Sequence, residues 1–70
     1  MAAEIEELFS AIRTNAHLRQ YKIDLEQRNG SIRLTGNVRC YYHKQIAQEV
    51  LRTKMNGHGF TIKNDLIVDP

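Results

Sequence analysis

Asn29-Gly30 stands between two stretches in which apolar and polar side chains alternate, and this constrains the chain more than any other feature. A type I′ turn needs positive φ at both central residues, and Asn-Gly tolerates that best. Before the turn, Tyr21, Ile23 and Leu25 share one parity, while Lys22, Asp24, Glu26 and Arg28 fall mainly on the other. After it, Ile32 and Leu34 point one way and Ser31, Arg33 and Thr35 the opposite way. A period of two is the mark of a half-buried strand. Residues 21–35 therefore predict a β-hairpin closed at Gly30, with one face in the core.

Gly36 continues the inward row of Ile32 and Leu34 but has no side chain to bury. Its place predicts either a close approach by another backbone or helix, or a bend before the next element. Gly30 and Gly36 are thus read as structural glycines.

Two further segments have a helical period. In residues 3–14 the apolar side chains are Ile5, Leu8, Phe9 and Ile12, the spacing of one helix face. Glu4, Glu6 and Glu7 open this helix and Arg13 nears its end, as the helix dipole favours. In residues 41–54, Ile46, Ala47, Val50 and Leu51 form an apolar stripe, with His43 on its extension and Tyr42 at its margin. Asn56-Gly57 and Gly59 then break the helix. A final strand runs from Phe60 to Val68, with Phe60, Ile62, Leu66 and Val68 inward and Asn64 interrupting the row.

The order helix, strand, strand, helix, strand predicts an α+β fold. Specifically, it predicts an αββαβ two-layer sandwich, with two helices on one face of a small three-stranded mixed sheet. The second helix supplies a right-handed crossover to the last strand. Seventy residues make one domain, 1–70, which buries only about 60% of the surface exposed by its unfolded chain. A core this small leaves little free energy to hold a deep polar pocket, which argues for a binding module over an enzyme.

The motifs, taken in order, resemble the BON domain family, named for bacterial osmotically induced and nodulation-related proteins. The resemblance rests on "NGSIRLTGNV" leading into a helix, and on "IKNDLIV" at the end. The matching positions are Leu34, Thr35, Gly36, Val38, Ala47, Ile62, Asn64, Leu66 and Val68. What it implies is the αββαβ sandwich and a non-enzymatic role. Members of the family are modules of cell-envelope proteins that attach to phospholipid surfaces or other macromolecules, so an anionic phospholipid or an envelope protein is the implied partner.

Charge is unevenly spread. Residues 1–12 hold three acids, residues 13–54 hold nine basic and three acidic groups, and residues 55–70 hold one Lys and two Asp. The basic middle includes "RCYYHK", residues 39–44, which mixes cations and aromatics. Rings of this kind rest at the headgroup level while cations meet phosphates. Arg39, Tyr41, Lys44 and Arg52 are the expected contacts with an anionic surface, on the exposed side of the second helix. The plainer expectation is that Tyr42 packs on the core margin and the rest is a solubilising face.

Other chemistries find less support. Cys40 and His43 form a lone C-x-x-H, far in sequence from His17 and His58, so no metal or cofactor is expected. A Cys-His nucleophile also needs an orienting group, and no acid lies nearby in sequence. RNA-binding sheets carry aromatics on the open face or a Gly-x-x-Gly clamp. Here the outward positions Lys22, Asp24, Glu26, Arg33, Thr35, Lys63 and Asp65 are polar and mixed in charge, which argues against nucleic acid. The two free edges of a three-stranded sheet invite pairing with another chain, making a protein-protein interaction or homo-oligomerising module the alternative expectation. The acidic N-terminus and the lack of a long apolar run predict the cytosol for a complete chain, and the cell envelope for a piece of a larger protein.

Overall fold

The structure is a computed structural model that describes residues 5–55 and 59–69. Helix α1 (Ile5–Thr14) is followed by strands β1 (Asp24–Arg28) and β2 (Ser31–Val38), helix α2 (Tyr41–Lys54) and strand β3 (Thr61–Val68). The sheet order is β1-β2-β3. β1 runs antiparallel to β2, with Arg28 opposite Ser31, and β3 runs parallel to β2, from Ser31 opposite Thr61 to Val38 opposite Val68. The fold is α+β, with both helices on one face of a mixed, open sheet.

The hairpin turn adopts positive φ at both central residues, 38° at Asn29 and 83° at Gly30, as a two-residue primed turn requires. Gly36 has φ +137°, and a Cβ added there would lie 2.8 Å from the Lys22 carbonyl oxygen and 3.5 Å from the Ile23 Cα. The approaching element is therefore the backbone leading into β1, not a helix. β1 is shorter than the alternation suggests: Tyr21 and Lys22 precede the ladder, although Ile23 is buried.

One apolar core fills the space between the layers. Leu8 and Ile12 of α1 meet Leu18, Ile23, Leu25, Ile32, Leu34, Val38, Ala47, Leu51, Met55 and Leu66, while Ile5, Phe9, Tyr21, Ile46, Val50, Phe60 and Ile62 pack at its margin. Two positions depart from the sequence reading. Val68 is 37% exposed because the end of an edge strand has a neighbour on one side only. Met55 is buried, because α2 presents Ala47, Leu51 and Met55 to the sheet and turns Ile46 and Val50 toward α1's side. Among the described residues no polar or charged residue is buried. Glu4, expected to open α1, and Asn56 and Gly57, expected to break α2, lie outside the described residues, as does His58, and Gly59 has φ +73°.

Asn64, the polar interruption of the inward row, ties β3 to α2. Its Nδ2 donates to the Lys44 carbonyl at 2.9 Å and to Gln48 Oε1 at 3.3 Å, while its Oδ1 accepts the Leu66 N–H at 3.2 Å. A half-buried amide needs such partners.

Candidate functional site

The parallel pairing of β2 with β3 brings the C-terminal ends of both strands to one end of the molecule, and α2 starts three residues after β2 stops. β1 starts there as well, since Asp24 lies opposite Thr35. The C-terminal end of α1 joins them: His17, just beyond it, has its ring 5.6 Å from that of Tyr42 and 5.5 Å from that of His43. Topology thus gathers residues 13–22 and 39–44 at one tip. The hairpin turn lies at the far end, about 23 Å away along β2.

Tyr21 braces this tip. Its hydroxyl oxygen accepts the Arg39 N–H at 3.1 Å and shares a 2.6 Å hydrogen bond with His43 Nδ1. The hydroxyl thus holds two partners at once, one on the backbone and one on a side chain. The connection from β2 to α2 is thereby fixed to the segment that leads into β1. His43 is engaged by Tyr21 and not by Cys40, which is half-buried at the N-cap of α2 and forms no side-chain cap hydrogen bond. Among the described residues no three His, Cys, Asp or Glu side chains converge on a metal-sized site. His58 lies outside those residues.

Five cations belong to the tip: Arg13 in the last turn of α1, Arg19 and Lys22 in the following segment, Arg39 before α2, and Lys44 in its first turns. Arg13 holds its guanidinium 5.9 Å from the Phe9 ring centre. The three ion pairs among the described residues join Arg28 to Glu26, Arg33 to Asp65 and Arg52 to Glu49, leaving out all five. Asp24 and Asp69 are the acids nearest by topology, and Asp69 receives both of its hydrogen bonds from Asn37 Nδ2. The tip therefore carries a net positive charge.

The large apolar side chains left exposed lie at the same end. Tyr41 is 63% and Tyr42 62% exposed, and Ile67 and Val68 close β3. Tyr42 thus projects from the core margin where the sequence suggested it would pack. Tyr41 accepts a 2.7 Å hydrogen bond from Gln45 Nε2, which steadies its ring.

The four residues expected at an anionic surface do not lie together. Arg39 and Tyr41 are at the tip, and Lys44 is beside them but half-buried next to Asn64. Arg52 lies eleven residues along α2 from Tyr41, about 16 Å, and is paired with Glu49 at 3.1 Å. Arg13, Arg19, Lys22 and Tyr42 replace it at the tip. Only the fold could reveal them, because their proximity depends on which strand ends meet.

An open groove of about 770 Å³ runs between the helices, lined by Ala11, Thr14, Tyr42, Ile46 and Val50 among others. The open sheet face carries Arg33 joined to Asp65, with Glu26, Thr35 and Lys63 around them. No helix among the described residues is long and apolar enough to cross a membrane. Comparisons with protein-family models, curated proteins and solved structures find no match, so the site rests on its own geometry.

Proposed function

We propose that this chain is a non-enzymatic binding module that attaches to an anionic phospholipid surface through its tip, in line with what the resemblance to the BON family implies. One observation carries the reading: five cations outside the ion pairs of the described residues and two exposed tyrosines belong to a single end of the fold. Each cation held near an anionic bilayer contributes about 1 kcal/mol. Tyrosine rings add a preference for the headgroup layer, where one end of the ring is apolar and the other wet. A wholly apolar core among the described residues supports a function on the surface.

Co-sedimentation with vesicles tests this. Binding is expected to rise with the fraction of anionic lipid and to fall with salt, because the attraction of the tip's cations, four of the five exposed, is screened beyond roughly 8 Å at physiological ionic strength. Arg39→Glu removes one favourable charge and adds an unfavourable one, so affinity drops roughly 30-fold. Arg52→Glu, at the other end of α2, leaves it nearly unchanged. Negligible binding at low salt, equal with and without anionic lipid, would refute the proposal.

A further inference from the structure

The ladder of β3 has one side paired and one side open. Thr61 N–H donates to the Gly30 carbonyl at 2.9 Å and Asp69 N–H to the Val38 carbonyl at 2.8 Å. Odd-numbered residues of β3 thus turn their amide groups to β2. Even-numbered residues, Ile62 to Val68, turn theirs to the outer edge, where no strand among the described residues pairs with them. Leu66 N–H is taken by the Asn64 side chain, while the N–H groups of Ile62, Asn64 and Val68 have no such partner among the described residues. An eight-residue edge of this kind is a template for another strand.

We propose that β3 pairs with β3 of a second copy, antiparallel about a two-fold axis at Asn64, to make a continuous six-stranded sheet. This goes beyond the surface reading and does not rest on it. Charge selects the register. With Asn64 opposite its symmetry mate, Lys63 stands opposite Asp65 of the second copy, and the same pair recurs across the axis. Sliding the strands by two residues one way sets Asp65 against Asp65, and the other way sets Lys63 against Lys63. Opposite charges across a strand pair stabilise and like charges destabilise. The favoured register also overlaps residues 60–68 fully. It places Val68, exposed at the strand end, against half-buried Phe60 of the second copy, and Ile67, 60% exposed, against Thr61. Lys63 takes part in none of the ion pairs within the described residues.

Sedimentation velocity over a concentration series decides the matter, with charge reversals as the probe. The native chain is expected to pass from monomer to dimer as concentration rises. Lys63→Asp sets a carboxylate against Asp65 on both sides of the axis and weakens dimerisation roughly tenfold or more. Asp65→Lys does the same with lysines, and an equimolar mixture of the two variants regains association, because unlike charges then face each other. Only monomer at every concentration would overturn the proposal. So would Lys63→Asp associating as well as the native chain, or a folded mixture that stays monomeric. Asp65→Lys also takes the partner from Arg33, so circular dichroism checks its fold. If it fails to fold, Lys63→Asp decides alone, since it leaves that ion pair in place.

Discussion

Alanine at position 36 would place a Cβ 2.8 Å from the Lys22 carbonyl oxygen and 3.5 Å from the Ile23 Cα. Both are backbone atoms held by the start of β1, so neither can swing aside as a flexible side chain would. The φ of +137° adds conformational strain of about 1–3 kcal/mol for a residue with a Cβ. Pushing a strand out of a packed layer costs a further 1–3 kcal/mol or so. Gly36→Ala should therefore lose about 2–6 kcal/mol, out of the roughly 4–10 kcal/mol typical of a chain this long. In a domain of this size that lowers the melting temperature by roughly 15–40 °C, read by circular dichroism. Gly30→Ala is the control. It has positive φ but nothing within 4 Å of the added Cβ, so it should show the conformational part alone, about 1–2 kcal/mol. A loss at Gly36 no larger than at Gly30 would show that the Lys22 backbone yields freely, and would refute the close-packing argument.

At the tip, Tyr21→Phe leaves the Arg39 N–H and His43 Nδ1 without their partner and should cost about 1–3 kcal/mol in urea unfolding; an unchanged midpoint would contradict the bracing role. Asn64→Ala frees the Leu66 N–H and cuts β3 from α2, so hydrogen exchange at Leu66 should quicken, with a stability loss of about 1–3 kcal/mol. Met55→Ala, at a position 5% exposed, should cost about 2–5 kcal/mol in the same unfolding experiment, whereas Ile67→Ala should be nearly neutral in the monomer.

Much of the fold is legible from local pattern, because period and turn chemistry act over a few residues. Asn29-Gly30 fixes the hairpin register, and residues 41–54 are helical as their spacing predicts. Gly36 signals a close approach through its missing side chain, but the approaching atoms lie fourteen residues upstream and no local pattern names them. The rotation of α2 is likewise hidden. A stripe of Ile46, Ala47, Val50 and Leu51 is wide enough to face either layer, and only the sheet's position selects Ala47 and Leu51. The tip is the least legible part. Arg19 and Lys22 share an end of the fold with Arg39 and Tyr41 only because β1 begins, and β2 ends, at the same end of the sheet. The contact of Tyr21 with His43 spans twenty-two residues and leaves no trace in spacing. "RCYYHK" does draw attention to Arg39 and Tyr41, since it sets cations beside rings within one short run. Helix periodicity also suggests Arg52, because it ignores distance along the axis.

Amide chemical-shift mapping with bicelles that carry anionic lipid locates the contact residue by residue. Perturbations are expected to concentrate in residues 13–22 and 39–44 and to fade as salt is added, while the hairpin turn at 28–31 and the α2 end around Arg52 stay unmoved. Shifts centred on the hairpin or the Arg52 end, with the tyrosine-bearing tip silent, would contradict this placement.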